Sequence, residues 1–476
     1  MTTADTPSPA RARLLAALAP PPPASAPRAA PWRALVLGCL ALAALSLLGP
    51  SQPTYDPWAW LIWGRDIVHL DLVTNAGPSW KPLPVLFTTP FALLGDDLAP
   101  KLWLVVARAG GLLAVAMAFR LARRIAGPLA GVVAAASLAA ADLFLSFSAR
   151  GNSEGILVGL ALWAVERHLD GRRRDAFLLG VACGLLRPEV WPFVALYGLW
   201  LVLARRGDLR TAVLVGGSGL AIALLWFVPE YIGSGDFFRA ASRALEPVPD
   251  SPAQAEHPFL AVFTNSASAL WPPAYAGGVV AVILALRRGA DPAYRRPVLA
   301  LAAASTALMV TVAILAEIGF TGNIRYVALP ASIVCVLAGI GWAALLSLVR
   351  DRRGMGVAVA AGVALLVLAA PFARESASEL STQVEQARNE SAVAADLPVA
   401  IARAGGEAAV KRCETVKTGP FETQLVAWHL HLHQNEVGLL PTPPATLLAV
   451  RGAPLAEVPG FATLGSSQRW VVRTSC

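Results

Sequence analysis

The segment YDPWAWLIWGRDIVHLDLVTNAGPSWKPLPVLF, Tyr55 to Phe87, holds the residues best suited to chemistry. Asp56 stands among Tyr55, Pro57, Trp58 and Trp60. A carboxylate partly withdrawn from water becomes a better base and can take a proton from a hydroxyl nucleophile. An aspartate followed by proline also starts helices as an N-cap, and the two roles are compatible. Lys81, between Trp80 and Pro82, is a cation fixed where a phosphate could meet it, or an interfacial lysine with no ligand. Further charges lie in SARGNSEG (Arg150, Glu154), LLRPEVWP (Arg187, Glu189) and GFTGNIRYVALP (Arg325, beside Tyr326). Charges at the edge of apolar runs are expensive, and they pair or mark a functional cavity. Arg187 and Glu189, two residues apart, read as a structural ion pair.

The elements that must position these residues follow from composition. Of 476 residues 56% are hydrophobic and 15% charged, and mean hydropathy is +0.58, which places the chain among all-α polytopic membrane proteins. Candidate spans fall near 34–49, 101–121, 127–147, 153–166, 176–189, 190–204, 211–229, 259–286, 298–318, 326–349 and 355–373, eleven in all. The runs at 153–166, 176–189 and 190–204 are short, as irregular helices lining a cavity would be. The net charge of +8 comes from short basic clusters between apolar runs, with no basic stripe or recognition motif for nucleic acid. RHLDGRRRD, RRGDLR, RRGADPAYRRP and RDRRG share one face, with Arg11, Arg13, Arg28 and Arg33 of the N-terminal segment. By the positive-inside rule that face is cytoplasmic, and every charged motif above falls on the other side of the plasma membrane.

Residues 1–33, rich in Pro and Ala, read as a disordered cytoplasmic tail, and 34–373 as the transmembrane domain. After the first span, Trp58, Trp60 and Trp63 recur with Arg65 and Asp66 opposite them. This predicts an amphipathic helix in the membrane interface, with those tryptophans and Trp80 at headgroup depth. From 374 to 476 the composition turns charged, and QRWVVRTSC is strand-like, which predicts a small extracytoplasmic α/β domain. Cys413 and Cys476 are the only cysteines outside the spans, both on the oxidising face, and are expected to form a disulfide. WHLHLH alternates like a strand and would present His429, His431 and His433 on one solvated face, with no carboxylate or cysteine to complete a zinc site. No phosphate loop, nucleophile elbow or Cys-pair metal motif is present.

Taken in order, these motifs resemble those of the GT-C superfamily of integral-membrane glycosyltransferases. That superfamily includes protein O-mannosyltransferases, the lipid A aminoarabinose transferase, and actinobacterial mannosyl- and arabinosyltransferases that use polyprenyl-phosphate sugars. The resemblance spans residues 34–350: an acid after the first span (Asp56), the interfacial helix, KPLP, SARGNSEG, GLLRPE, and GNIRY before a late span. The Asp-Glu pair of the protein O-mannosyltransferases and an oligosaccharyltransferase-like signature are lacking. The resemblance implies a polyprenyl-phosphate sugar donor, used outside the cytoplasm with inversion at the anomeric carbon. The acceptor would be a cell-envelope glycan, a glycolipid or a protein. Asp56 would be the catalytic base. Lys81 and Arg325 would hold the donor phosphate, with Tyr326, Arg150 and Glu154 beside them. No cofactor and no metal are implied. Two other classes fit a polytopic chain: a transporter or flippase for a lipid-linked saccharide, and a non-catalytic membrane assembly protein. A transporter would place functional charges through the bilayer, and the absence of an internal repeat weighs against it.

Overall fold

The computed structural model describes residues 32–204, 207–246 and 250–476, so the expected tail at 1–33 lies outside the described residues except for Trp32 and Arg33. The chain enters with α1 (Trp32–Leu45), followed by α2 (Tyr55–Val68) and α3 (Pro82–Ala92), which carry the opening motif. Apolar helices then succeed one another: α4 (Ala99–Ala126), α5 (Pro128–Ala139), α6 (Asp142–Ala149), α7 (Glu154–Leu169), α8 (Arg173–Gly184) and α9 (Trp191–Ala204). Next come α10 (Leu209–Ser234), α11 (Arg239–Ala244), α12 (Pro258–Ser266), α13 (Pro272–Leu286), α14 (Pro292–Glu317) and α15 (Ala328–Arg353). All eleven apolar runs overlap helices. Among the described residues five helices are long and apolar enough to cross a membrane, and six if Pro258–Ala269 and Pro272–Leu286, bent by 108°, form one broken span. The molecule is a multi-pass membrane protein.

Small residues let these helices approach closely, as packing in lipid requires. A Cβ added at Gly159 of α7 would stand 2.9 Å from the Gly110 carbonyl of α4. Gly341 of α15 meets the Gly277 carbonyl of α13 more closely still.

The last long helix, α16 (Met355–Arg403), has 49 residues, about 74 Å at the rise of an α-helix. Its first half is apolar and barely packed. Its second half passes residue 374 without a break and ends against a sheet, burying Ala394, Leu397, Ala400 and Ile401. The C-terminal region adds α17 (Glu407–Val410), β1 (Val416–Thr418), α18 (Thr423–His429), β2 (Val437–Gly438), β3 (Thr446–Val450), β4 (Ala462–Ser466) and β5 (Trp470–Thr474). The sheet order is β2-β1-β3-β5-β4, parallel across β2, β1 and β3 and antiparallel across β3, β5 and β4. The expected strand in QRWVVRTSC is β5. Cys413 and Cys476 are joined by a disulfide, with Cα atoms 6.0 Å apart, and so tie the lead-in to β1 to the end of β5.

Two expectations need correction. The helix after the first span, α2, does not have one greasy and one wet side. Trp58, Trp60 and Trp63 are buried in protein, as are Trp80, Arg65 (8% exposed) and Asp66 (3%), and Trp58 and Arg65 share one side, both against Trp428. The C-terminal region roofs the charged side: Arg65 donates to the carbonyls of Leu432 (2.7 Å) and Trp428 (3.4 Å), and Gln434 donates to the Ala59 carbonyl. WHLHLH is not a strand either. α18 ends at His429, His431 sits at a positive φ, and the three imidazoles part company. His431 reaches Asp96 and Glu407, whereas His433 bridges Asp66 and Asp71 at 3.1 Å each. A turn replaces the alternating strand, so no shared imidazole face forms.

Candidate active site at the N-terminus of the second helix

Thr54 is the N-cap of α2 and Asp56 lies in the first turn, so the capping position is not Asp56's own. Its carboxylate is 18% exposed and accepts from Arg325 Nη2 at 2.9 Å. The same guanidinium donates from Nε to Glu154 Oε1 at 3.0 Å and from Nη2 to Asn152 Oδ1 at 2.9 Å. Arg325 owes its position to a 3₁₀ turn, Ile324–Val327, in which Asn323 caps the Arg325 N–H before α15 begins.

Glu154, fully buried at the start of α7, is the hub. Its Oε1 also accepts from Arg187 Nη2 at 2.5 Å. Arg187 is only 3.9 Å from Glu189, so its principal partner is 33 residues away and not two. The neighbour pairing expected from sequence is therefore the weaker contact. The Arg187 guanidinium also lies 4.4 Å over the Tyr326 ring, which packs against Phe320. Lys81 is held in extended backbone at the entry to α3, and its ammonium donates to Ser153 Oγ at 3.3 Å and lies 5.1 Å from the Trp60 ring centre.

Arg150 takes another course. It forms an ion pair with Glu390 of α16, while its carbonyl accepts from Thr54 N–H at 3.1 Å. It makes no hydrogen bond to Asp56, Glu154, Lys81 or Arg325, and its contribution is to brace the loop that carries Asn152 and Ser153. Asn152 and Ser153 were not singled out from sequence, although both flank Glu154 in SARGNSEG, and Asn152 also ties back to Thr54 Oγ1 at 2.9 Å.

The electrostatics match this geometry. Burial alone would raise the Asp56 carboxyl, but the Arg325 and Lys81 charges outweigh it and hold it below the usual carboxylate value. Burial, reinforced by the neighbouring Arg187 charge, pushes the Lys81 ammonium down to about 7 despite the carboxylates nearby. Several buried polar atoms have no hydrogen-bond partner among the described residues: Glu154 Oε2, Arg187 Nε and both carboxylate oxygens of Glu189. Such atoms are uncommon in a finished core and fit a cluster that exchanges partners. Among the described residues no group of three or more His, Cys, Asp or Glu side chains is placed to hold a metal ion. The arrangement can present a carboxylate to a hydroxyl and several cations to an anion, side by side.

No family model and no curated protein sequence matches the chain. In structure it is similar to ArnT from Cupriavidus metallidurans bound to undecaprenyl phosphate, with a TM-score of 0.56 and 16% identity, covering 94% of this chain and 98% of that one. The apo state of the same protein gives 0.55 and 15% over the same shares. The archaeal oligosaccharyltransferase AglB from Archaeoglobus fulgidus, in complex with an inhibitory peptide and a dolichol-phosphate, gives 0.46 and 13%, over 88% of this chain and 69% of that one. At these identities the likeness is one of fold, and it runs nearly end to end in ArnT. The chain has the fold of ArnT.

Proposed function

We propose that the protein is an inverting glycosyltransferase that moves a hexosyl or pentosyl unit from a polyprenyl-phosphate donor to an acceptor on the extracytoplasmic face of the plasma membrane. One observation carries the reading. The Asp56 carboxylate is engaged by Arg325 and not by the backbone it could cap, in a cluster that also holds Lys81 and Arg187. A phosphate entering this cluster competes for Arg325 and Lys81. Asp56 then loses its counter-charge, burial raises its basicity, and the base is strengthened when donor is in place.

The acceptor oxygen attacks the anomeric carbon from the face opposite the phosphate. The bond from that carbon to the phosphate oxygen breaks, its electron pair leaves with the phosphate, and the hydroxyl proton passes to Asp56. Lys81, Arg325 and Arg187 stabilise the charge that develops on the leaving group. Tyr326 holds the Arg187 guanidinium in place, and Glu154 spaces the two arginines. Eleven spans, with the N-terminus inside and residues after 374 outside, put this cluster at the outer boundary. The chemistry asks for no metal and no cofactor. Buried charge gathers around Glu154 and, at the far end of the same helix, around Glu166, with the helix between them apolar. That favours this reading over a transporter, which needs a path through the bilayer.

The test uses the full chain in lipid nanodiscs with radiolabelled polyprenyl-phosphate hexose or pentose and a cell-envelope extract as acceptor source. Label moving into acceptor with inverted anomeric configuration supports the reading. Donor that stays intact in nanodiscs but crosses the bilayer of proteoliposomes would favour the transporter.

A further inference from the structure

A cavity of about 280 Å³ lies beside the N-terminus of α2, outside the charged cluster. Tyr55 forms one wall, one residue before Asp56. Its floor is the segment Asn75–Gly77, which leads within four residues to Lys81. The opposite wall comes from Asp236, Arg239, Ser242 and Arg243, around and within α11. We infer that this cavity is the acceptor subsite and that it takes a single unit of a neutral saccharide. The inference rests on the glycosyl-transfer reading above and names the acceptor class that reading leaves open.

Charge excludes an anion as the occupant. The two arginines are opposed by two carboxylates of the same cavity, Asp236 and Glu246, and each already donates two hydrogen bonds. Arg239 donates to the carbonyls of Pro78 (2.6 Å) and Gly77 (2.9 Å). Arg243 donates to the Gly77 carbonyl (3.2 Å) and to Glu246 (2.8 Å). These contacts fix the shape of the floor, and the two carboxylates balance the two arginines, so the lining carries no net positive charge for a phosphate.

The groups still free are of mixed kind. The Tyr55 hydroxyl, the Asn75 amide and the Ser242 hydroxyl have no hydrogen bond among the described residues, and Asp236 uses one oxygen, on the Phe238 N–H at 2.8 Å. A sugar hydroxyl both donates and accepts, so a lining that offers phenol, amide, hydroxyl and carboxylate together matches vicinal hydroxyls better than an ion or an apolar chain. The volume is near the lower end of ligand pockets, roughly 300 Å³, which suits one ring and not a folded polypeptide. On its floor and α11 wall Asn75, Asp236, Ser242 and Glu246 are exposed and Ala76, Gly77, Arg239 and Arg243 half-buried, so it opens on the loop side, whereas the donor's lipid must leave toward the apolar helices. An acceptor arriving from solution therefore enters here and extends past Tyr55 toward Asp56.

The test pairs two readouts on nanodisc-held full-length protein and on the double variant Tyr55→Phe, Ser242→Ala, which removes two hydroxyls and keeps the arginine–carbonyl contacts. Saturation-transfer NMR with methyl glycosides of common hexoses and pentoses, at millimolar concentration, is expected to give transfer to at least one glycoside, falling more than fivefold in the variant. Hydrolysis of radiolabelled polyprenyl-phosphate sugar by water, without acceptor, is expected to be unchanged by the same substitutions. Donor hydrolysis by the wild type with no glycoside binding, or with binding indifferent to the substitutions, would overturn the subsite alone. A raised donor KM in the variant would assign the cavity to the donor and overturn it as well. Glycoside binding by a protein that never cleaves donor would end the acceptor assignment together with the transferase reading.

Discussion

Residue types announce this site, but their pairing does not. Asp56, Lys81, Glu154 and Arg325 are legible in the chain because charge at the edge of apolar runs is costly and therefore retained for a reason. That Arg325 joins residues 171 and 269 positions away follows only from the fold, and no local spacing encodes it. Arg187 shows the limit that results: the pair with Glu189 expected from sequence forms at 3.9 Å, and the shorter contact, to Glu154, is one that no spacing announces. Lys81 yields a prediction at this scale. With its pKa depressed to about 7, it is charged below that pH and neutral above it. In the free protein between about pH 7 and its ordinary value, 10.5, the unfolded chain binds more protons, so this group's contribution to stability rises with pH. Binding a donor phosphate reverses the preference, because the anion draws a proton onto the lysine. Donor affinity should therefore fall as pH rises above 7, by up to about tenfold per unit, and Lys81→Arg should flatten that slope. Titrating polyprenyl phosphate into nanodiscs at pH 6.5 and 8.5 measures it, and an unchanged slope in Lys81→Arg would acquit Lys81.

The helix that carries Asp56 was visible as a helix and misread as to its surroundings. Tryptophans recurring beside Arg65 and Asp66 suggest an interfacial helix, because a local pattern cannot reveal a roof supplied by residues 428 to 434, which covers Trp58 and Arg65 alike. The cost of burying Arg65 is offset by two backbone carbonyls, which sequence spacing never displays. The contact with α3 is equally tight. A Cβ at Gly64 would stand 2.6 Å from the Thr88 carbonyl carbon, and Thr88 Oγ1 already donates to the Trp60 carbonyl at 2.7 Å. Since the neighbour is backbone, Gly64→Ala must push the two helices apart, and with them Asp56 from Lys81. The expected loss is about 1–3 kcal/mol of stability, read by thermal unfolding in nanodiscs, together with a fall in turnover. Wild-type melting and turnover in Gly64→Ala would show that the α2–α3 spacing does not set the site.

For the molecule as a whole, the apolar runs and basic clusters carried most of the information. All eleven runs overlap helices, yet 127–147 and 176–189 are interrupted, 259–286 is bent by 108° just before Pro272 and Pro273, and several are too short to pass as spans by length alone. The join to the C-terminal region is a continuous helix, which a change in composition at residue 374 marks chemically and the backbone does not. Orientation is the claim on which the site's location depends. The basic clusters predict that alkaline phosphatase fused after residue 380 is active and that a cytoplasmic reporter there is silent. The opposite result would put Asp56 on the cytoplasmic side and remove the outer-face acceptor.

The most direct test of the central claim is the transfer rate of Asp56→Asn. Asparagine keeps the size of the side chain and an oxygen for Arg325 but cannot accept the hydroxyl proton. Turnover measured with radiolabelled polyprenyl-phosphate sugar should fall by roughly 100-fold or more, with folding near wild type and donor affinity no weaker than wild type. Near-wild-type transfer by a correctly folded Asp56→Asn protein would contradict the assignment of Asp56 as the base.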